Sequence, residues 1–214
     1  MAVKNTNTYE QVYNVREEEN LLARVALVVC AVTQREVFVA GFSIAKELLT
    51  IHYTTYNSNR PVWELDFFEQ VFASEPLLAV REKVKGVFVG SVKNLIVPDE
   101  LYSETEAAKW LQRLFFIERT DAVAAFALGN DKAMYVQSIP LYMAELIKIN
   151  FRKSVVLPLS AYQFGERPAQ TLHLQLCVGS SHTIATLHNY SQLLWHKFID
   201  YATAEDIAWA IKLH

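Results

Sequence analysis

The chain has 214 residues, with 20 lysines and arginines against 23 aspartates and glutamates, which gives a formal net charge of −3. This balance excludes the strongly basic surface of most nucleic-acid-binding proteins, so we expect no nucleic acid partner. Hydrophobic residues make up 52% of the chain and charged residues 20%, a composition typical of a folded globular protein. A chain of this length can bury one large core or two smaller ones.

The N-terminal segment does not resemble a secretion signal. Residues 1–20 are polar and include an acidic run at 17–19, whereas a secretion signal has a basic start and an apolar middle. The longest apolar run, residues 25–32, is far shorter than the ~20 residues that a membrane-spanning helix requires. We therefore expect a cytoplasmic protein with a polar N-terminal tail over residues 1–20 and no membrane insertion.

The cysteines and glycines exclude several common sites. Cys30 and Cys177 lie in apolar runs without a CxxC motif or a nearby histidine cluster, so buried free thiols are predicted. The positions of the six glycines allow neither GxGxxG nor GxxxxGK. The sequence therefore lacks both the dinucleotide-binding fingerprint and the P-loop.

Apolar, β-rich runs separated by polar breaks predict a three-stranded meander early in the chain. Residues 23–40 form a hairpin that turns at residues 33–35, and residues 48–56 form a third strand. A helix follows, because Leu65, Phe68 and later apolar residues recur at helical spacing.

Helices and strands then alternate. Residues 85–92 and 122–128 are typical of strands. One helix is predicted to start at Ser103, which forms a capping box with Glu106, and another at Ser138. The predicted order is β, β, β, α, β, α, β, α.

The C-terminal third repeats the opening pattern. Residues 172–178, 183–187 and 193–199 are predicted strands, and residues 202–213 form a helix. The two meanders align at their first turns, although few residues are identical. This similarity indicates either an internal duplication or the ordinary likeness of any two hairpins.

A family resemblance is carried by residues 93–111, which combine a strand, a turn at Val97 and Pro98, and a capped helix. The segment resembles an uncharacterised bacterial family known only as a domain of unknown function. Members of that family resemble the actin-like ATPase fold of the cell-division and pilus-assembly actin homologues. The resemblance, which runs from about Leu22 to the C-terminus, implies an α/β fold of duplicated ribonuclease-H-like units, each of order βββαβαβα.

The resemblance also implies a division of the chain. The first ribonuclease-H-like subdomain covers residues 21–152, and a partial second one covers residues 153–214, starting with a short strand at 155–157. In actin-like proteins further strands and a helix follow the point that corresponds to His214, with the adenosine pocket among them. The chain is then either truncated or reduced in its second half.

The same resemblance implies where an active cleft would carry its metal ligands. An actin-type ATPase places an aspartate at the end of the first strand of each unit, because Mg²⁺ takes hard oxygen ligands. Residues 24–34 contain no aspartate, glutamate or glycine, and residues 172–189 contain no aspartate or glutamate. A nuclease of the ribonuclease H type needs clustered carboxylates there as well, so the same absence argues against it.

Candidate cleft residues lie in the two hairpin turns. Thr33 and Gln34 in the first, and Gly179, Ser180 and Ser181 in the second, could contact a nucleotide through hydroxyls and backbone amides. Turns are also polar simply because they are exposed. We expect no catalytic residue, no metal site and no cofactor, and no motif supports ATP with Mg²⁺.

Several other residues could have either a purely structural role or a role in binding. Glu36, at the start of the returning strand, is predicted to face solvent. His182 and His188 share a strand face and are predicted to be sheet histidines, because no carboxylate or cysteine accompanies them at ligand spacing. Phe67 and Phe116 lie off the main apolar helix faces and are candidates for covering an edge or meeting a partner.

These observations favour a non-catalytic protein of actin-like ATPase fold that acts as a scaffold or regulator through an unknown protein partner. The alternative is a nucleotide-binding protein or ATPase whose divergent cleft surrounds residues 33–34 and 179–181. A third hypothesis is a fragment whose active half lies beyond His214.

Overall fold

The computed structural model shows a mixed α/β protein with one large mixed sheet and two smaller sheets among its described residues. Two compact units divide the chain. The first comprises Met1–Ser91 and Ile139–Leu159, and the second comprises Val92–Ser138 and Ser160–His214. The structure describes residues 8–15, 20–56, 63–128, 132–164, 172–179, 182–189 and 192–212.

The predicted alternation of single strands and helices after the opening meander was wrong, because the strands come in pairs or longer runs between the α-helices. The strands are β1 (Thr8–Asn14), β2 (Leu27–Val32), β3 (Glu36–Phe42), β4 (Leu48–Tyr56), β5 (Val84–Val89), β6 (Asn94–Pro98), β7 (Asp121–Ala127), β8 (Ala133–Pro140), β9 (Val155–Pro158), β10 (Leu172–Val178), β11 (His182–Asn189) and β12 (Gln192–Asp200). The α-helices are α1 (Leu21–Arg24), α2 (Leu65–Ser74), α3 (Ala107–Gln112), α4 (Leu141–Asn150) and α5 (Ala204–Lys212). Short 3₁₀ turns lie at Pro76–Leu78, Arg81–Lys83, Asp99–Leu101, Glu104–Glu106 and Leu159–Phe164.

The first unit is built on a six-stranded sheet in the order β1-β4-β3-β2-β5-β9. The pairs β1/β4, β4/β3 and β3/β2 are antiparallel. Strand β5 runs parallel to both of its neighbours, β2 and β9. The meander therefore forms from local hairpins. The parallel pairs need crossover connections, and these contain α2 and α4.

The main core lies on one face of this sheet. Side chains alternate between faces along a strand, so Val28, Cys30 and Val32 of β2 point the same way and are fully buried. They belong to one buried cluster with Phe68 of α2 and Met143 of α4. The apolar residues that recur at helical spacing in α2 therefore pack into the main core.

The second unit contains two three-stranded sheets, in the orders β6-β8-β7 and β10-β11-β12. Leu111 of α3 is buried with Val97 and Val136 against the first of these sheets. The second is an antiparallel meander with a register shift between Leu187 and His188. In the part of the chain that the structure describes, no helix is long and apolar enough to cross a membrane.

Several predicted assignments were wrong. Ser103 does not form a capping box with Glu106: α3 begins at Ala107, and Glu106 itself is its N-cap. The polar tail contains strand β1, which pairs with β4 along its whole length. Strand β9 pairs with β5 in the first unit rather than opening the second subdomain, because its parallel partner lies in the first sheet. Ser138 does not cap α4: it is buried at the end of β8, and Pro140 is the N-cap.

The two phenylalanines that were candidates for covering an edge or meeting a partner differ in the structure. Phe67 is fully buried in the main core and packs edge-on against Phe68. Phe116, by contrast, is 81% exposed. The structure therefore removes Phe67 from the candidates and leaves Phe116 on the surface.

Candidate functional site

The carboxyl end of β2 carries three buried polar side chains, which we call the Glu36 cluster: Thr33, Glu36 and Tyr53. Thr33 follows β2 directly, Glu36 begins β3, and Tyr53 lies in β4. Only Gln34 and Arg35 separate the first two, and the Thr33 N–H donates to the Glu36 carbonyl oxygen at 2.9 Å. The tight hairpin thus places the hydroxyl and the carboxylate side by side.

Both carboxylate oxygens of Glu36 accept hydrogen bonds from this cluster. Thr33 Oγ1 donates to Oε2 at 3.5 Å, and the Tyr53 hydroxyl donates to Oε1 at 3.3 Å. Glu36 stands opposite Thr55 in the β3–β4 pairing, so Tyr53 is its diagonal neighbour on the same sheet face. The strand register therefore creates the second contact.

Glu36 is only 1% exposed, so the prediction that it faces solvent was wrong. A buried carboxylate is costly unless hydrogen bonds replace its hydration. The hydroxyls of Thr33 and Tyr53, both buried, supply part of that replacement. The strand pairing puts Glu36 on the same face as Phe38 and Tyr53, but no sequence signal indicated that this face is covered at Glu36.

The end of β5 lies next to this cluster. The Gly90 N–H donates to the Val32 carbonyl oxygen at 2.8 Å. A Cβ atom at Gly90 would lie 3.0 Å from Leu159 Cδ2 and 3.2 Å from Thr33 Cγ2. The glycine therefore allows close packing of β5 against the Thr33 turn, and the next residue, Ser91, is also buried.

The candidate turn residues have different surroundings. Thr33 belongs to the Glu36 cluster, and Gln34 beside it is half-buried. In the second unit, the Gly179 N–H donates to the His182 carbonyl oxygen at 2.8 Å, and its carbonyl accepts from the Tyr201 hydroxyl.

Ser180 and Ser181, the other two candidates, lie outside the described residues. Nucleotide binding by either turn stays a prediction.

A second polar network, which sequence reasoning missed, lies inside the second unit. His196 Nδ1 is 2.9 Å from Thr186 Oγ1, and its Nε2 is 3.5 Å from Ser160 Oγ. Ser160 in turn donates to the Tyr135 hydroxyl at 3.4 Å and is fully buried. The only sequence signal is the histidine-rich C-terminal third, because Ser160 and Tyr135 are far away along the chain.

Burial sets the chemistry of this network. Burial first, and then the charge of nearby His188, lowers the pKa of His196 to about 4. Burial raises the pKa of the Tyr135 hydroxyl. The imidazole is therefore neutral at neutral pH, and Ser160 beside it is fully buried.

The two predicted sheet histidines lie on β11 as expected from their spacing. His182 stacks on Phe198 with ring centroids 4.6 Å apart, and His188 is fully buried. Within the described ranges, no group of three or more histidine, cysteine, aspartate or glutamate side chains could hold a metal ion.

The sequence matches one family model over well more than half of its length. The model is described as "Protein of unknown function (DUF3822)" and matches residues 38–208. The chain belongs to this family. No curated protein sequence matches this family member.

Solved structures resemble this family member in fold. A Bacteroides thetaiotaomicron protein with actin-like ATPase fold and unknown function has a TM-score of 0.73 and 11% identity, over 92% of this chain and 78% of that chain. A chain from the PilM-PilN type IV pilus biogenesis complex has a TM-score of 0.51 and 15% identity, over 89% of this chain and 66% of that chain. This family member therefore has the actin-like ATPase fold.

Proposed function

We propose that this family member is a non-catalytic protein of actin-like ATPase fold that acts as a scaffold or regulator through protein contacts. The Glu36 cluster is the observation that supports the proposal. An actin-type ATPase needs an aspartate that reaches Mg²⁺ at the end of its first strand, and here that position is Thr33. The neighbouring carboxylate, Glu36, is buried and directed at the hydroxyls of Thr33 and Tyr53.

The similarity to a chain from a pilus biogenesis complex supports the protein-contact part of the proposal. That complex joins two named proteins, which is an example of this fold in a protein assembly. The partner of the present chain is a further protein of unknown identity.

We also propose that the chain contains two ribonuclease-H-like units, of which the second is incomplete. In the first unit the meander β2-β3-β4 continues through the parallel strands β5 and β9. In the second unit the meander β10-β11-β12 is followed by α5, which repeats the start of that pattern. The first of these units includes β1 and β9 as well as the meander, and residues 92–138 belong to the second unit instead.

The alternative function is nucleotide binding in a divergent site. Glu36 favours it, because it supplies a carboxylate, the ligand type that Mg²⁺ takes, at the end of β2. The contacts to the phosphates would come from Thr33 and Gln34 in the turn that follows β2.

Thermal unfolding with millimolar Mg-ATP, ADP or GTP distinguishes the two functions. Ligand at 100 times its dissociation constant stabilises a protein by about 2.7 kcal/mol, which raises the Tm of a chain of this size by roughly 5–10 °C. The scaffold proposal predicts no shift with any nucleotide. A nucleotide-specific shift that Glu36→Gln and Gln34→Ala abolish would overturn it in favour of the alternative.

A further inference from the structure

Positive charge is concentrated in the first unit where β5 and β9 begin, in residues 79–86 and 148–156, which we call the basic surface. These two segments contain six lysines and arginines and one glutamate. The chain has 20 lysines and arginines and 23 aspartates and glutamates in total, so its other residues have 14 of the former and 22 of the latter. The basic surface is therefore opposite in charge to the rest of the chain. Its cations are Arg81, Lys83, Lys85, Lys148, Arg152 and Lys153.

The two segments are in direct contact. Strand β5 pairs with β9 in parallel, so both strands begin at the same edge of the sheet. Ser154 Oγ donates to the Val84 carbonyl oxygen at 2.7 Å, and Arg81 Nη2 donates to Asn150 Oδ1 at 3.1 Å. Cations that are far apart along the chain therefore share one surface.

Part of this charge has a structural role. Arg81 donates to the Phe72 carbonyl oxygen in α2, and Lys83 Nζ donates to the Val25 carbonyl oxygen at 2.6 Å. Lys148 lies in the last turn of α4, where the helix dipole favours a cation. Carbonyl groups carry only partial charges, so these contacts do not neutralise the cations.

The other three cations are exposed: Lys85, Arg152 and Lys153. Lys85 Nζ donates to the Glu82 carbonyl oxygen at 2.8 Å, which leaves its positive charge in place. Lys153 Nζ is 4.0 Å from Glu82 Oε1, and both side chains are mostly exposed, so this ion pair is weak. The basic surface therefore keeps most of its positive charge for a ligand.

Aliphatic side chains are exposed among these cations. Val80, Ile149 and Val155 are 47%, 62% and 60% exposed. Phe151, the aromatic residue of the two segments, is buried in the main core. A ligand that complements this surface carries carboxylates opposite the cations and aliphatic groups opposite the valines and the isoleucine.

The surrounding charge favours a narrow ligand over a broad one. An anionic membrane also attracts clustered lysines and arginines, but it contacts a wide area of a protein. The first unit has 12 cationic and 12 acidic residues, so outside the basic surface six cations are left with 11 acidic residues. A flat anionic surface would meet this negative charge, whereas a peptide segment contacts the basic surface alone.

We propose that the basic surface binds an acidic segment of a partner protein that also carries aliphatic residues. The exposed cations bind its carboxylates, and Ile149 and Val155 contact its aliphatic side chains. The inference rests on the proposed function, in which the chain acts through protein contacts, and it adds the chemistry of the partner.

Fluorescence anisotropy of the full chain with a labelled synthetic peptide tests the proposal. The probe is a peptide of repeated Glu-Glu-Leu units, and the comparison peptides have lysine in place of glutamate or serine in place of leucine. The wild-type chain should bind the probe and should not bind the lysine peptide. Binding should weaken by roughly tenfold as the salt concentration rises from about 0.05 M to about 0.5 M, because exposed charges are screened.

Charge reversal locates the binding surface. Arg152→Glu should weaken binding of the probe by roughly fivefold or more, because it replaces an attraction with a repulsion. The matched control is Arg119→Glu, which reverses an exposed arginine of the second unit and changes the net charge equally. It should change the affinity by less than about twofold.

An apolar substitution tests the aliphatic contacts. Ile149→Ser should weaken binding of the probe but not of the serine peptide, which has no leucine to lose contact with. Leu114→Ser is its control, because it changes an exposed leucine of the second unit. Equal Tm values of variants and wild type would show that the fold is kept.

Four results would overturn the proposal. A wild-type chain that does not bind the probe is the first, and equal losses in Arg152→Glu and Arg119→Glu are the second. Tighter binding to phosphatidylserine vesicles than to the probe, lost in Arg152→Glu, would assign the surface to a membrane. Self-association in sedimentation velocity that Arg152→Glu removes would assign it to a second copy of the chain.

The nucleotide experiment keeps this inference separate from the proposed function. Probe binding without a thermal shift supports both. Probe binding with a nucleotide-specific thermal shift that Glu36→Gln abolishes would overturn the non-catalytic proposal alone. Absence of probe binding and of a thermal shift would overturn the role of the basic surface alone.

Discussion

The Tyr53 hydroxyl donates a hydrogen bond to Glu36 Oε1 across the β3–β4 pair, at a distance of 3.3 Å. Both side chains are buried, and Thr33 Oγ1 donates to the other carboxylate oxygen. The hydroxyls of Thr33 and Tyr53 therefore stabilise the buried carboxylate of Glu36. These hydrogen bonds support the proposal that the end of β2 is a structural polar cluster.

Removal of the Tyr53 hydroxyl should weaken the first unit. Tyr53→Phe takes one donor from a buried carboxylate, and we expect the free energy of unfolding to fall by about 1–3 kcal/mol. Urea denaturation followed by circular dichroism measures the change. The control is Tyr56→Phe on the same strand, where the ring packs on Phe67 and the expected change is below about 0.5 kcal/mol. Equal stability of Tyr53→Phe and wild type would contradict this account of the cluster.

The meander of the first unit could be predicted because its signals are local. Residues 23–32 and 37–40 are apolar runs rich in valine, the polar turn at residues 33–35 separates them, and residues 48–56 are a further β-rich run. The burial of Glu36 could not be read from the same pattern. Alternation says which side of the strand a residue occupies, but not whether that side is covered.

The parallel strands show a second limit of sequence reasoning. Strand β9 was predicted as a strand but assigned to the wrong unit, because its partner β5 lies far away along the chain. Residues 92–138, inserted between these two strands, belong to the other unit. The His196 network was missed for the same reason: Tyr135, Ser160 and Thr186 are far apart along the chain and meet only in the folded second unit.

Gly41 is a position where any larger side chain meets packed atoms. A Cβ there would lie 2.9 Å from Val25 Cγ2 and 3.2 Å from both Leu77 Cδ2 and Thr50 Cγ2. Gly41→Ala must displace one of these methyl groups, so it should lower the free energy of unfolding by about 1–3 kcal/mol. The measurement is chemical denaturation of the variant and the wild type.

Gly86→Ala in the same sheet is the control for that substitution. Its added methyl group would lie 3.3 Å from the ring of Phe88, which is free of a backbone clash. Alanine also lowers the conformational entropy of the unfolded chain, so the net change should stay within about 1 kcal/mol. If both variants lost the same stability, the cost at Gly41 would be a general effect of replacing glycine in a strand.

Cys30 should be unreactive in the folded protein. Burial first, and then the negative charge of Glu75, raises the pKa of its thiol to about 12. The thiolate is the reactive form, so labelling needs an opening of the core. In Cys177→Ser, where Cys30 is the remaining thiol, reaction with Ellman's reagent at pH 8 should be slower than in urea by roughly a thousandfold or more, because core openings cost several kcal/mol.

A rate near that of the unfolded chain would contradict the buried position of Cys30. The matched variant is Cys30→Ser, which leaves the half-buried Cys177 as the target. Its thiol is closer to solvent, so it should react faster than Cys30 under identical conditions. If Cys30 reacted faster than Cys177, the result would contradict the burial of the two thiols in the structure.

His196 should make stability depend on pH. Its pKa is about 4 in the folded protein and 6.5 in the unfolded chain, so the unfolded chain binds more protons between these values. Stability is therefore complete above about pH 6.5, and it decreases as the pH falls towards 4. A shift of this size corresponds to about 3 kcal/mol. Urea denaturation at a series of pH values measures the slope, and His196→Gln should remove it between pH 6.5 and 4.

Ile184→Val separates this titration from a simple loss of packing. The side chain is buried on β11 and carries no proton, so the substitution should cost about 0.5–1.5 kcal/mol at every pH. Its stability curve is then displaced but parallel to that of the wild type. A pH slope that persists unchanged in His196→Gln would show that another group controls acid unfolding, and His188, whose charge also lowers the pKa of His196, is the first to replace.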